Sequence, residues 1–346
     1  MKKLISVMLC CLFLCLCSCS NEKTSSQLED TERGQEFEPL TEIQDGRKNI
    51  YLIVKSLGNS YWDVVLEGAK AAGEDFDCNV YYGGTYSETD WEYQADLLDT
   101  CVKQNADAVL LSPDDSVRLA PKISEIYEKD IPMILIDTIA NTDSYNLCYM
   151  TDNLIAGRNA AKEMIALLEK RDFEKDDAVN IGIMVGSVAS QTINERLAGF
   201  FQFWTQNAPE SWHIIPDIVS YDGNNGLIED LANGMLEKHP EINGVYGTNN
   251  GPTAGFAKVL KEQGRTDICI VGFDYSNEIA ELIASPDYSA ATMLQKQFNM
   301  SYDGIQSALS LTEGEENKVK FVDTGVVTVT YETLSTPEVQ EVILHN

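Results

Sequence analysis

The sequence has few histidines and few basic residues. Its 346 residues include three histidines, 25 lysines plus arginines and 55 aspartates plus glutamates, and the formal net charge is −30. A field this negative repels phosphates, which excludes nucleic acid as a partner and disfavours peripheral binding to anionic lipid. No two histidines stand at metal-ligand spacing, so a histidine-based zinc site is not expected.

Several motifs of catalysis and cofactor binding are missing. The sequence has no C-x-x-C pair, no glycine-rich dinucleotide fingerprint, no Walker A loop and no G-x-S-x-G elbow. Thioredoxin-like, nucleotide-dependent and α/β-hydrolase chemistry therefore have no support. We expect no metal and no cofactor.

Cysteine is concentrated at the N-terminus, where five of the nine lie within the first 19 residues. Lys2 and Lys3 precede the apolar run 4–17, which is short for a membrane span and fits a signal peptide. The run closes on Leu16-Cys17-Ser18-Cys19, which resembles a bacterial lipobox. We therefore expect residues 1–18 to be removed and Cys19 to be acylated; an ordinary cysteine-rich signal peptide is the alternative.

Residues 20–47 are polar, acidic and almost free of aromatic side chains. This composition predicts a flexible tether over 19–46 between the lipid and the fold. The remaining cysteines, Cys78, Cys101, Cys148 and Cys269, are widely spaced, and we expect no disulfide among them.

From residue 48 onward, apolar β-branched runs alternate with amphipathic helical patterns. Such alternation indicates parallel sheets covered on both faces. A second series begins near residue 155 and includes a single strand over 213–221. Two successive series predict an α/β protein with two doubly wound parallel-sheet lobes.

Polar and aromatic side chains follow many of the predicted strands. In parallel sheets, ligands bind beyond the carboxyl ends of the strands. The residues at these ends are carboxylates, carboxamides, one arginine and three aromatics: Asn59, Tyr61, Trp62, Asp137, Thr138, Asn194, Arg196, Tyr221, Asn249, Asp274 and Gln295. Hydroxyls both donate and accept, and the C–H faces of a sugar ring pack on aromatic rings, so this mixture suits a polyol.

Over residues 48–335 the chain resembles the type I periplasmic sugar-binding proteins of the ribose/galactose-binding group, whose fold is shared by the effector cores of LacI-type repressors. Asn59-Ser60-Tyr61-Trp62 resembles the ribose-type N-N-P-F-F segment, and the strand ending at Asp137 resembles P-V-x-x-x-D. Asn194–Phe200 is similar to R-x-R-x-x-G-F, and Tyr221-Asp222 to an F-D pair. Asn249-Asn250 is similar to N-D, and Val271–Asp274 to V-G-F-D.

The resemblance implies two lobes joined by a three-crossing hinge, with the ligand site in the cleft between them. The N-terminal lobe would comprise 47–151 plus 296–323, and the C-terminal lobe 152–295 plus 324–346. Tyr61 and Trp62 would form one wall of a ring sandwich and Tyr221 the other. Asp137 would accept from two sugar hydroxyls, and Gln295 would bind another.

Two positions depart from the ribose-type pattern. Thr138 and Asn194 stand where those members carry arginines that bind the ligand. Two bidentate donors are thus missing, and the pentose identity does not carry over. Arg196 is present, but the sequence leaves open whether it binds ligand or supports the lobe.

Each candidate residue also has a purely structural interpretation. Asp137 and Asp274 could cap the helices that follow them, and the aromatics could be core residues. Asn250 could be only a turn residue.

Three functions compete. The first is a lipid-anchored, monomeric receptor in the cell envelope that captures a monosaccharide for an ABC permease or for a sensor such as a kinase. The second is a glycoside-acting enzyme with Asp137 and Asp274 as paired carboxylates. The third is a repressor core, which the signal segment argues against because no DNA-binding helix-turn-helix precedes the fold.

Overall fold

The computed structural model describes residues 33–345, which form two mainly parallel sheets. The strands of the first sheet are β1 (Gly34–Pro39), β2 (Asn49–Val54), β3 (Asn79–Thr85), β4 (Ala108–Leu111), β5 (Met133–Ile136), β6 (Leu147–Met150) and β13 (Phe321–Asp323). Their spatial order is β1-β3-β2-β4-β5-β6-β13, and only β1 is antiparallel to its neighbour. Its helices are α1 (Ser60–Asp75), α2 (Trp91–Lys103), α3 (Ala120–Tyr127) and α9 (Gln297–Thr312).

The second sheet repeats this design. Its strands are β7 (Val179–Val185), β8 (Trp212–Ile214), β9 (Val219–Ser220), β10 (Gly244–Gly247), β11 (Cys269–Phe273), β12 (Ala290–Gln295) and β14 (Val326–Thr330). Their order is β14-β12-β11-β10-β7-β8, with β9 beside β7 and β14 antiparallel to β12. Its helices are α4 (Asn153–Lys170), α5 (Gln191–Asn207), α6 (Ile228–Lys238), α7 (Asn250–Glu262), α8 (Asn277–Ile283) and α10 (Pro337–Ile343). We call each sheet with its helices a lobe.

Both sheets are buried on both faces. Each sheet lies between two clusters of buried apolar side chains. All four residues of β5, for example, are fully buried, as parallel strands under two helix layers require. The predicted α/β fold with two doubly wound lobes is therefore confirmed.

The chain passes between the sheets three times, after β6, after β12 and after β13. The first and third crossings lie side by side. The Thr324 amide donates to Met150 O over 3.1 Å, and the Asp152 amide donates to Asp323 Oδ1 over 2.9 Å. These bonds tie two of the three linking segments into one unit.

The predicted tether is wrong for residues 34–39, which form β1 on the edge of the first sheet. The Phe37 ring packs edge-on against Tyr51 at 4.8 Å between centroids, which anchors this strand. Its otherwise polar, acidic composition concealed it, because an edge strand buries little of its surface. The predicted signal peptide 1–18 and lipidation site Cys19 lie outside the described residues.

Three further findings concern single features. The predicted strand over 213–221 is split into β8 and β9, because Pro216 between them has no N–H for the sheet. Cys78, Cys101, Cys148 and Cys269 are buried free thiols, as expected. Between residues 33 and 345 no helix combines the length and the apolar character needed to cross a membrane.

Helices α4 and α5 approach each other through two glycines. A Cβ at Gly157 would lie 2.1 Å from Arg196 O, and a Cβ at Gly199 would lie 2.1 Å from Leu154 O. Real Cβ atoms do not come this close to backbone, so the two positions require glycine as long as the helices keep this spacing.

We expect Gly157→Ala to lower the free energy of unfolding by about 1–3 kcal/mol, because the added methyl group forces α4 and α5 apart. Chemical denaturation measures this loss. The matched control is Gly234→Ala in α6, where a Cβ meets nothing within 4 Å. That change should stabilise by about 0.5–1 kcal/mol. Equal effects at the two glycines would contradict the packing argument.

Candidate functional site

Both sheets present their carboxyl-terminal strand ends to one cavity. In each sheet the strand order reverses at one point, between β2 and β4 in the first and between β7 and β10 in the second. Ligands of doubly wound sheets bind at such points. The cavity encloses about 460 Å³ of empty space including its mouth and is lined by Lys55, Asn59, Tyr61, Trp62, Glu88, Asp114, Asp137, Ser187, Ser190, Thr192, Ile193, Arg196, Asn249, Asn250, Asp274 and Gln295.

Asp137 and Asp274 occupy equivalent places in the two lobes. Each directly follows a central strand and has a left-handed backbone, with φ of 62° and 70°. Asp is among the few residues that tolerate this conformation. Each amide donates to the neighbouring strand, from Asp137 N to Tyr149 O over 2.9 Å and from Asp274 N to Met293 O over 3.0 Å. The fold thus presents one carboxyl group from each lobe to the cavity.

The Asp137 carboxylate is held by the protein itself. Lys55 Nζ donates to Oδ2 over 2.8 Å, and Tyr61 OH donates to Oδ1 over 2.7 Å. Ser112 Oγ and Thr138 Oγ1 also donate to Oδ2, over 3.2 and 2.7 Å. Burial would raise the pKa of Asp137, but the Lys55 ammonium and these hydrogen bonds lower it to about 2. Asp137 is therefore ionised and is fixed by an internal cation.

Asp274 is in a different electrostatic setting. Its Oδ1 accepts from Gln295 Nε2 over 2.8 Å, and it forms no ion pair with a described residue. Burial raises the pKa of Asp274 to about 6, although Arg196 and Gln295 oppose this shift. The equivalent aspartates of the two lobes thus have opposite pKa shifts.

Arg196 serves the second lobe and also faces the cavity. Its Nε donates to Asn153 Oδ1 and its Nη1 to Thr248 O, both over 2.8 Å. Its guanidinium lies 4.0 Å from the Phe273 ring centroid, a cation–π contact. Nη2 has no hydrogen-bond partner among residues 33–345. Arg196 therefore supports the second lobe through Nε and Nη1, and its Nη2 remains available as a donor.

Glu88 and Asp114 add two further carboxyl groups. Trp62 Nε1 and Tyr221 OH donate to the two Glu88 oxygens over 3.5 and 3.3 Å. Thr85 Oγ1 donates to Asp114 Oδ2 over 3.4 Å, while Asp114 Oδ1 is buried without a described partner. Burial raises the pKa of Glu88 and raises that of Asp114 well above its usual value.

Four cavity-lining side chains carry a buried polar atom that is unpartnered within the described part of the chain. They are Asp114 Oδ1, Ser190 Oγ, Arg196 Nη2 and Gln295 Oε1. Leaving such a group unsatisfied costs about 1–3 kcal/mol. The cavity therefore has acceptors and donors in place for a polar ligand.

Hydrogen bonds also join the two lobes around the cavity. Thr138 Oγ1 and Thr192 Oγ1 share a 2.7 Å hydrogen bond, and the Gln191 amide donates to Ser116 Oγ over 3.3 Å. On the other side, Asn250 Nδ2 donates to Ser60 Oγ over 3.5 Å. Most cavity side chains are consequently buried.

Eight of the eleven predicted ligand residues line the cavity: Asn59, Tyr61, Trp62, Asp137, Arg196, Asn249, Asp274 and Gln295. The other three do not. Asn194 is exposed and its Nδ2 donates to Val188 O over 2.9 Å, because it lies on the outer side of α5. Thr138 is fully buried and does not line the cavity; its hydroxyl contacts Lys55, Asp137 and Thr192. Tyr221 packs in the core of the second lobe, and only its hydroxyl reaches Glu88 and Asn249.

Lys55, Glu88 and Asp114 are the charged cavity residues for which the sequence analysis proposed no role. Lys55 directly follows β2. Asp114 comes three residues after β4, at the kind of strand end that predicted Asp137. Glu88 comes three residues after β3. Applying the strand-end rule to β3 and β4 would have found both acids.

The sequence and the fold of this chain are similar to those of known proteins. A family model described as a periplasmic binding protein domain matches residues 50–316. The chain belongs to this family. The resemblance to type I periplasmic sugar-binding proteins is thereby confirmed.

Individual relatives agree with this assignment. The chain is similar to a D-ribose/D-allose-binding protein of Pseudomonas aeruginosa, with 26% identity over 85% of this chain and 93% of the relative. It is also similar to a carbohydrate transporter solute-binding protein of Agrobacterium radiobacter solved with D-arabinose, with a TM-score of 0.80, 26% identity, and coverage of 87% and 100%. A third similar protein is an ABC transporter solute-binding protein of Agrobacterium vitis with bound D-fucose, with a TM-score of 0.76, 26% identity, and coverage of 84% and 98%.

We expect Lys55→Met and Asp137→Asn each to lower the free energy of unfolding by about 3–5 kcal/mol, because each leaves a buried group without its partner. The double variant should lose less than the sum of the two, by about 0.5–3 kcal/mol. Urea unfolding of the four proteins measures this coupling.

The matched control is the half-exposed pair Lys70–Glu74 on α1. Its coupling in Lys70→Met and Glu74→Gln should stay near or below about 0.5 kcal/mol. Equal couplings for the buried and the exposed pair would contradict the assigned role of Lys55.

Proposed function

We propose that this protein is an extracytoplasmic solute-binding lipoprotein that captures a monosaccharide or similar polyol between its lobes and delivers it to an ABC transporter. The observation that carries the proposal is the set of unpartnered buried atoms at Asp114, Ser190, Arg196 and Gln295. The set combines donors with acceptors, which suits hydroxyls because each hydroxyl both donates and accepts. Trp62 and Tyr61 add aromatic surface for the C–H face of a ring.

Hinged closure is part of this proposal. The lobes join at three crossings and are held together around the cavity by side-chain hydrogen bonds, among them those of Thr138, Ser116, Ser60 and Glu88, so opening requires these contacts to separate. Ligand binding would favour the closed form. Relatives named as import binding proteins for ribose and for apiose support a transport role, and a sensor in place of the permease is the alternative.

We propose binding rather than catalysis, with the protein acting as a monomer. Asp137 accepts from four donors, one of which is the Lys55 ammonium, so it is not poised as a nucleophile or a general base. Incubation with glycosides would give free sugar only if this proposal is wrong.

A thermal-shift screen with pentoses, hexoses, sugar alcohols and inositols should identify at least one compound that raises Tm. We expect Asp274→Ala to abolish that shift, because a closed cavity then lacks the carboxylate of the second lobe. Asn194→Ala is the matched control and should keep the shift within about 1 °C, since Asn194 lies outside the cavity. A Tm that no polyol raises would refute the proposal.

The anchor at Cys19 is tested separately. Cys19→Ser should abolish metabolic labelling with palmitate and move the protein from the membrane fraction to the soluble fraction, because the acylated thiol would be lost. Cys17→Ser is the control and should leave both unchanged. Unaltered labelling of the Cys19→Ser protein would show that another residue is acylated, and no labelling of the unchanged protein would show that the segment is an ordinary signal peptide.

A further inference from the structure

We propose that the ligand is a polyol bearing a positively charged amino group, and that Glu88 and Asp114 are the residues that bind this group. The inference rests on the proposed function, since it specifies the substrate class of the same cavity. The evidence for it is the set of charged side chains that line the cavity.

The cavity holds more acids than bases. Its lining includes four carboxyl groups, Glu88, Asp114, Asp137 and Asp274, but only two cationic side chains, Lys55 and Arg196. Lys55 is committed to Asp137. Arg196 is committed through two of its nitrogens to Asn153 and Thr248. Within residues 33–345, Glu88, Asp114 and Asp274 therefore have no direct cationic partner.

Of these three groups, Glu88 and Asp114 belong to the first lobe, whereas Asp274 belongs to the second lobe and accepts from Gln295. Neither Glu88 nor Asp114 forms an ion pair with a described residue, whereas the adjacent Asp115 contacts Arg118 at 3.6 Å and accepts the Val117 and Arg118 amides over 2.9 and 2.8 Å. Asp114 is only 1% exposed, and its Oδ1 has no partner within the described chain. A buried acceptor that lines a cavity and has no donor indicates that the ligand brings one.

The surroundings of Glu88 suit an ammonium group. Its carboxyl group accepts from the Nε1 of Trp62 and from the hydroxyl of Tyr221. The Tyr61 ring packs edge-on against Trp62, with 4.8 Å between the ring centroids. Carboxylates combined with aromatic rings bind organic cations through charge and cation–π attraction. Lys55 Nζ already lies 5.9 Å from the Trp62 ring centroid, so a cation next to this ring is compatible with the site.

Glu88 and Asp114 hold their protons more tightly than exposed carboxyl groups do. Burial raises the pKa of both Glu88 and Asp114, and Lys55 opposes this shift without removing it. Among the neighbouring acids, Asp137 raises the pKa of Glu88, and Glu88 and Asp90 raise the pKa of Asp114. An entering ammonium group would favour the ionised carboxylates, so its binding should release protons, whereas a neutral sugar should release almost none.

The remaining unpartnered atoms favour a polyol over a simple amine. Ser190 Oγ, Arg196 Nη2 and Gln295 Oε1 are buried on the second lobe, away from strands β3 and β4, and offer both donors and acceptors. No group of three or more metal-ligating side chains occurs in the described range. Calcium should therefore not bind, and it is the negative control of the titrations described next. The first lobe would bind the amino group and the second lobe the hydroxyls.

Isothermal titration calorimetry on the full-length protein with matched pairs tests this inference. The pairs are D-glucosamine with D-glucose, D-galactosamine with D-galactose, and glucamine with sorbitol. At pH 7 we expect at least one amine to bind ten or more times tighter than its neutral partner. Titrations in buffers of different ionisation enthalpy should show proton release with that amine and none with the neutral compound.

Variants assign the effect to the two acids. Asp114→Asn and Glu88→Gln should each reduce the preference for the amine over its neutral partner, measured as the ratio of the two dissociation constants, to about twofold or less. Asp115→Asn is the matched control, because Asp115 lies in the same loop but binds backbone amides, and it should keep the full preference.

The outcomes separate the two proposals. Neutral members that bind as tightly as the amines would overturn the amine inference and leave polyol binding intact. An amine preference that survives in both acid variants would overturn the assignment to Glu88 and Asp114. A panel in which no member binds would overturn the proposed function together with this inference.

Discussion

The structure depends on how six ionisable side chains share one cavity that is largely closed to water. Charge buried without compensation costs several kcal/mol per ion, so each group must be paired, hydrogen-bonded or neutralised by a proton. Asp137 is paired with Lys55, and Arg196 is hydrogen-bonded and stacked on Phe273. Burial holds protons on the remaining acids more tightly than usual, and this balance decides which ligands can enter.

The two lobes meet this constraint in different ways although their backbones match. Asp137 and Asp274 follow equivalent strands with the same left-handed backbone and the same amide contact to the next strand. The first lobe then adds an internal lysine to its aspartate, and the second lobe adds a glutamine. A repeated backbone therefore supplies one fixed carboxylate and one carboxyl group whose ionisation responds to its surroundings.

Much of the fold could be predicted from the sequence because strand burial is written in continuous apolar runs. The runs ending at Ile136 and Phe273 have no other stable role than central parallel strands. Strand β1 was missed because a polar edge strand depends on one ring, Phe37, whose partner Tyr51 is distant in sequence. Asn194 was misplaced because helical position decides which side of α5 a residue faces, and the motif that suggested it carries no such information.

Lys55 links the departures from the ribose-type pattern to the chemistry of the cavity. Thr138 and Asn194 remove two arginines that the family resemblance would have supplied. Lys55 Nζ instead reaches Asp137 and Thr138 from the end of β2, two strands away in the sheet, so a cation is kept next to the strand aspartate. A guanidinium group would offer several directed donors to a ligand, whereas the Lys55 ammonium donates its hydrogen bonds to Asp137 and Thr138. The net result is a first lobe with surplus carboxyl groups, and ligand contacts that arginine makes in ribose-type members must be made by other residues.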